Sequence, residues 1–377
     1  MTADIEKNGR DELYAAVEAI APQLEASARE AEELRSAPKS LTDALRQARV
    51  PMSKAPREIG GYELSPADQV GFFSRIAYLN PTAGWLAFNQ SGAAGMLGAA
   101  LSDEGLEQVF AQDSPLVAAV TAPSGRSKRV DGGVRVSGRW AYASGAEVSD
   151  WALLMTIAED PPAPLGVVVP TSALKFHDDW HVAALQGSGS VDVSLDDQFV
   201  PEALTVNPFV RQRGGRQYSD LGFKVYVAGE NFGFSHGVAT RLVDEVAKLA
   251  RGKRRVLDAG TVGDRGAFQI ELGRTELALR SGRALMESEL ERAMDVLESV
   301  DGPLPDRDRI RVEGALAHAT ETAVQAATRL FPFAGASSLH LSNPIQRALR
   351  DLIGSGQHYV ASNQQIEDWG KALLDAD

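Results

Sequence analysis

The chain has 377 residues, is 44% hydrophobic, carries a formal net charge of −13 and contains no cysteine. That length allows two or three packed regions, and the missing thiols exclude disulfides, thiolate metal sites, iron–sulfur clusters and cysteine nucleophiles, so any redox chemistry must come from a bound cofactor. No apolar run approaches the roughly 20 residues of a bilayer span, the first residues are charged where a signal peptide is apolar, and the acidic charge is spread out with no long basic block; a cytoplasmic protein without nucleic-acid or membrane partners is expected.

Residues 1–115 read as an N-terminal helical domain. A polar–apolar stretch covers residues 11–35, Ser40 and Asp43 have the spacing of a capping box, and Ser65, Pro66 and Asp68 supply a cap, a first-turn proline and a first-turn acid. Residues 116–210 change to short β-rich runs, such as 133–140 (GVRVSGRW), 151–157 and 166–169, broken by Gly, Pro and Asp. They predict a small β domain, a barrel or sandwich. Residues 211–218 (RQRGGRQY) suit a linker, and the remainder, 211–377, returns to long helices. Arg251 to Arg255 (RGKRR) are placed at a helix end, where cations favour the dipole. Val312, Leu316, Ala319, Ala323, Ala327 and Leu330 form one apolar stripe, and four such helices would make a bundle. Asn343 and Pro344 start the last helix. Gly354, Ser355 and Gly356 interrupt it, and each interior glycine costs about 1 kcal/mol relative to alanine. Either a ligand approaches that backbone or two helices pack tightly there.

Chemistry-bearing patterns are sparse. The six histidines include no HExxH pair, and His177 and His181 fall in a loop-like region, so no metal site is expected. No GxGxxG follows a strand, and no serine-hydrolase elbow is expected. The segment GSGS at 187–190 offers backbone N–H groups that can approach a phosphate or a flat ring, although a plain turn explains it equally well. Gln357, His358 and Tyr359 are polar-contact residues beside the interrupted turn.

Five segments carry a resemblance: 56–66 (PREIGGYELSP), 119–125 (AVTAPSG), 132–154 (GGVRVSGRWAYASGAEVSDWALL), 185–202 (LQGSGSVDVSLDDQFVPE) and 343–362 (NPIQRALRDLIGSGQHYVAS). In this order they resemble the acyl-CoA dehydrogenase superfamily, especially its two-component flavin-dependent monooxygenase branch. The resemblance implies an acyl-CoA dehydrogenase-like fold with an N-terminal α domain, a central β-barrel and a C-terminal four-helix bundle, assembled as a homotetramer. It implies flavin contacts at Thr121, Trp140, Tyr142 and Ser144, with the last near flavin N5, and a turn at Gly187, Ser188 and Ser190 near the flavin phosphate tail or a neighbouring subunit. Trp140 and Tyr142 also read as ordinary core residues of a half-buried strand.

Dehydrogenases of this superfamily need a carboxylate base. Arg350 and Asp351 lead instead, at the matching spacing, to His358 and Tyr359, and the Thr-Glu-Pro signature is replaced by Thr121-Ala122-Pro123. The resemblance therefore implies an oxygenase that takes reduced flavin (FMNH2 or FADH2) from a separate NAD(P)H-dependent reductase and reacts it with O2 through a C4a-hydroperoxide. Ser144 and His358 would be its catalytic pair, with an imidazole titrating near neutral pH. Trp85, Asn89 and Tyr359 would line a pocket for a small aromatic or heteroaromatic substrate. Relatives that hydroxylate phenols carry a further histidine where this chain has Asn89, Gln90 and Ser91, which favours a substrate needing no deprotonation. An acyl-thioester dehydrogenase and a non-catalytic flavin-binding protein are the alternatives.

Overall fold

The structure is a computed structural model that describes residues 2–159, 161–208, 210–254 and 259–375. Arg255, the last residue of the basic run, lies outside them. Five helices come first: α1 (Thr2–Leu34), α2 (Lys39–Gln47), α3 (Pro66–Leu79), α4 (Pro81–Ala100) and α5 (Asp103–Val109). Seven strands follow: β1 (Val117–Val130), β2 (Gly133–Trp140), β3 (Trp151–Glu159), β4 (Pro162–Pro170), β5 (Lys175–Phe176), β6 (Val193–Pro201) and β7 (Thr205–Val206). Six helices close the chain: α6 (Phe223–Tyr226), α7 (Ala228–Gly252), α8 (Gly266–Ser299), α9 (Asp306–Leu330), α10 (Pro344–Ser355) and α11 (Asn363–Leu374). No described helix is long and apolar enough to cross a membrane.

Local chemistry accounts for several boundaries. Ser65 Oγ accepts the Asp68 N–H (3.1 Å) and donates to the Asp68 carboxylate (2.9 Å), and Asn343 Oδ1 accepts the Ile345 N–H (2.9 Å), so both expected caps form. The expected box at Ser40 does not: α2 starts two residues earlier, at Lys39 after Pro38, and Asp43 pairs with Lys39 instead.

Two compact units form. One contains Met1–Leu64, Trp85–Val182 and Gln186–Ser219; the other contains Ser65–Gly84, Ala183–Leu185 and Asp220–Asp377. In the second unit α3 lies directly on α7. Gly229, Gly233 and Gly237 recur every fourth residue along α7, and a Cβ on each would stand 2.2 Å from Pro66 O, 2.7 Å from Val70 O and 2.1 Å from Ser74 O. Only a strip without side chains lets two helix backbones meet so closely. α8 and α9 pack on each other and on α7, with α10 against α7 and α11 against α9. The predicted stripe from Val312 to Leu330 is buried at every position.

In the first unit the strands form one sheet in the order β5-β6-β2-β1-β3-β4-β7. Its pairings are antiparallel except β1 with β3. β5 and β7 do not pair among the described residues, so the ladder is an open sheet where a closed barrel was expected. Between Val120↔Leu154 and Gly125↔Thr156 the β1–β3 register slips, and residues 121–124 pair with neither neighbour. Trp140 fills the space beneath this bulge. A Cβ on Gly125 would fall 2.1 Å from its ring, and its indole N–H reaches across β1 to Met155 O on β3 at 2.7 Å. The slip takes that carbonyl off the β1 ladder, and the indole satisfies it.

Residues 211–218 are tied down rather than loose. The Gln212 N–H donates to Ala99 O (2.7 Å), the Gly214 N–H to Glu58 (2.9 Å), the Gly215 N–H to Glu63 (2.6 Å), and the Tyr218 hydroxyl to Lys54 O. The bond from Gly214 holds the Glu58 carboxyl below its ordinary range.

Candidate active site

In the first unit the chain reverses sharply after β2. Tyr142 takes φ +63°, a left-handed conformation costly for a bulky side chain, and the Ser144 N–H closes onto Tyr142 O at 2.9 Å. Two backbone bonds, Ala143 N–H to Val191 O (3.0 Å) and Gly145 N–H to Ser188 O (2.9 Å), then fix the glycine–serine turn beside Ser144. Side chains continue the connection. Ser144 Oγ accepts the Trp85 indole N–H at 3.0 Å and lies 2.7 Å from Ser190 Oγ, which lies 2.7 Å from Ser188 Oγ. Exposure falls along the row, 7% at Ser144, 4% at Ser190 and 1% at Ser188.

Four of the residues singled out in the sequence, Trp85, Ser144, Ser188 and Ser190, are thus one hydrogen-bonded row, with Gly187 buried next to it. The serines of the 187–190 turn face inward to Ser144. Tyr142 is 72% exposed, its ring edge-on to Trp180 at 6.3 Å, so the core reading of this residue fails. Trp140 is the reverse case: fully buried beneath the bulge with its N–H engaged, its indole is committed to the core and is not free to lie against a bound ring. Thr121 is half-buried at the start of the bulge. Asn89 donates its amide to Trp85 O (2.8 Å), one helical turn back. His177 and His181 fall in the irregular segment after β5, and no described group of three His, Asp or Glu residues could hold a metal ion.

In the second unit, α10 ends at Ser355, and Gly356 takes ordinary helical dihedrals as its C-cap. The interruption is therefore a helix end, and the last helix of the chain is α11. What approaches Gly354 is residues 183–185: a Cβ there would meet Ala184 at 2.9 Å, Asp351 accepts the Leu185 N–H (2.6 Å), and Arg350 donates to Ala183 O (2.6 Å). His358 caps the next short turn, its ring 5.1 Å from that of Tyr359, which is half exposed. Burial pushes the His358 imidazole down to about 4. It is neutral at pH 7, contrary to the near-neutral titration expected from sequence, because partial desolvation disfavours the charged ring.

The same unit holds a pair that sequence reading missed. His236 Nδ1 lies 2.9 Å from Ser74 Oγ, both buried, and burial with the charge of Arg283 pushes His236 down to about 4. The glycine spacing on α7 was its only sequence signal, since it marks the face of α7 that meets α3.

Comparisons with known proteins bear on this arrangement. A family model described as acyl-CoA dehydrogenase, C-terminal domain, matches residues 233–363. The oxygenase component of an FADH(2)-dependent resorcinol hydroxylase from Rhizobium is 30% identical over 376 residues, covering 92% of this chain and 90% of that protein. The chain belongs to the flavin-dependent monooxygenases of the acyl-CoA dehydrogenase superfamily. Another monooxygenase, the indole-3-acetate monooxygenase of Pseudomonas putida, is 28% identical over 88% of the chain and 86% of its own length. The solved structure of XiaF from Streptomyces, in complex with FADH2 and glycerol, superposes with a TM-score of 0.88 at 25% identity, covering 100% of this monooxygenase and 98% of XiaF. The acyl-CoA dehydrogenase-like fold is therefore established.

The residues of the first unit fit a flavin. Residues 121–124 leave the sheet ladder and so present backbone groups that no strand has taken, and Ser144 adds a hydroxyl on a rigid turn. A flat ring edged with donors and acceptors needs that kind of partner.

Proposed function

We propose that this monooxygenase takes reduced flavin, FMNH2 or FADH2, from a separate NAD(P)H-dependent flavin reductase and places one atom of O2 on a small aromatic or heteroaromatic substrate, the other leaving as water. The reading includes a homotetramer in the cytoplasm, with a helical segment 1–115, a β segment 116–210 and a helical bundle 211–377. Reduced flavin supplies the activation of O2. The chain holds and orients it through Thr121, Tyr142, Ser144 and the turn at Gly187, Ser188 and Ser190, while Trp85, Asn89 and Tyr359 contact the substrate. Trp140 serves this site from beneath, by supporting the bulge.

The observation that carries this reading over a thioester dehydrogenase is the state of the buried carboxylates. Among the described residues these are Glu230, Glu289, Glu313 and Asp351. Glu289 is held by Arg292 and Arg311, Glu313 by Lys224 and Arg309, Asp351 by the Leu185 N–H, and Glu230 also has a partner. Each partner stabilises the charged carboxylate, which makes these groups weaker bases toward a proton beside a thioester carbonyl. The segment where dehydrogenases carry that base offers the neutral imidazole of His358, which can donate a hydrogen bond to the oxygen being transferred but holds no surplus proton at pH 7. Asn89, which gives one amide N–H to Trp85 O, keeps a second N–H and an amide oxygen that can hydrogen-bond a substrate but cannot remove its proton. An electron-rich ring that reacts without deprotonation, such as an indole, suits side chains of that kind.

The test supplies a flavin reductase, NADH, flavin and 18O2 with a panel of indoles and phenols. Incorporation of one 18O atom per NADH is expected. Bleaching of bound flavin by an acyl-CoA, without oxygen incorporation, would establish the dehydrogenase instead.

A further inference from the structure

We infer that Trp85 and Ser190 are positioning residues that turn Ser144 into a one-way hydrogen-bond donor, its proton directed at an acceptor on the bound flavin. A serine hydroxyl has one proton and accepts up to two hydrogen bonds, whereas an indole N–H only donates. Trp85 therefore always fills one acceptor position of Ser144, at 3.0 Å. The two remaining contacts in the row, Ser144–Ser190 and Ser190–Ser188, are both 2.7 Å and run in one direction or the other.

If Ser144 donated to Ser190, and Ser190 to Ser188, the last proton would sit on Ser188, which is 1% exposed and has no other side-chain hydrogen bond among the described residues. A buried unsatisfied donor is costly, so that direction is disfavoured. In the reverse direction Ser188 donates to Ser190 and Ser190 to Ser144. Every buried proton in the row is then used, and both acceptor positions of Ser144 are filled, by Trp85 and by Ser190. The proton of Ser144 alone is left over, on the most exposed hydroxyl of the three, and it has no other acceptor among the described residues. Ser144 can then greet a ligand only as a donor. That flavin is the ligand rests on the proposed function; the direction of the row does not.

Two measurements separate these points. In ligand-free, 15N-labelled protein, the Trp85 indole N–H resonance, assigned by its loss in Trp85→Phe, is expected to move to the position of a weaker hydrogen bond in Ser144→Ala and to stay in Ser144→Thr. A resonance indifferent to Ser144→Ala would overturn the contact itself. Anaerobic titration with reduced FMN and FAD then reads the direction. Ser144→Ala is expected to weaken binding roughly tenfold, as for one hydrogen bond, Ser144→Thr to restore it, and Ser190→Ala and Trp85→Phe to weaken it by smaller factors, with melting temperatures showing that each variant folds. Tighter binding in Ser190→Ala would mean that Ser190 had been drawing the Ser144 proton inward, which overturns the inference. Equal binding in Ser144→Ala and wild type would overturn the contact with flavin. Failure of the wild type to bind either flavin would refute the proposed function and, with it, flavin as the acceptor, while the direction of the row would then be read from hydroxyl-proton NMR, where a Ser144 proton bonded to Ser190 would overturn it.

Discussion

The Ser74 hydroxyl and His236 Nδ1 meet at 2.9 Å where α3 lies on α7, in a contact closed to solvent on both sides. His236 titrates at about 4 in the folded chain and near 6.5 when unfolded. Between those values the unfolded state binds a proton that the folded state refuses, so stability falls as pH drops from about 6.5 to about 4 and levels off below. A difference of about 2.5 units corresponds to roughly 3 kcal/mol. Denaturant melts from pH 7 to pH 4 should show this loss, and His236→Gln should flatten it. His358, also lowered to about 4, adds in the same direction.

Glycine substitutions on two helices should have opposite signs. Gly233→Ala places a Cβ 2.7 Å from Val70 O, where neither backbone can yield, and should cost about 1–3 kcal/mol. Gly273→Ala, on the exposed face of α8 with nothing within 4 Å, should stabilise by about 0.5–1 kcal/mol. Thermal melts of the two variants decide it; a neutral Gly233→Ala would mean that α3 and α7 are not in backbone contact.

Trp140→Phe keeps most of the apolar volume beneath the bulge but leaves Met155 O without its indole partner. A loss of about 1–3 kcal/mol is expected from the orphaned carbonyl. Flavin affinity, titrated on the same variant, should fall far less than in Ser144→Ala. The reverse ranking would return Trp140 to the flavin.

His358→Ala should lower product yield roughly 10²-fold, the usual cost of losing one positioned hydrogen-bond donor at developing charge, with flavin binding retained. Because the imidazole is neutral across the working range, His358→Gln, which still offers a neutral N–H, should recover part of the yield. The wild-type pH profile should show no inflection from His358 between pH 5.5 and 8. An inflection near 6.5 that His358→Gln removes would show that the ring acts as an imidazolium acid.

Much of this protein was legible in the sequence. Periodicity is a local property, so the apolar stripe of α9, the caps at Ser65 and Asn343 and the change of texture near residue 116 could be read along the chain. The absence of cysteine pointed to a cofactor, and five ordered segments indicated the superfamily. Single residue types were more ambiguous. Trp140 and Tyr142 stand two apart on the same run, yet one became core and the other solvent-facing, because the positive φ of Tyr142 turns the chain and the bulge in β1 opens a cavity for an indole. Only tertiary structure decided that, just as it joined Trp85, Ser144 and Ser190, distant in sequence, into one row and lowered His358 by burial. Hydrogen-bond direction and desolvation depend on what surrounds a group in three dimensions, and no spacing along the chain encodes them.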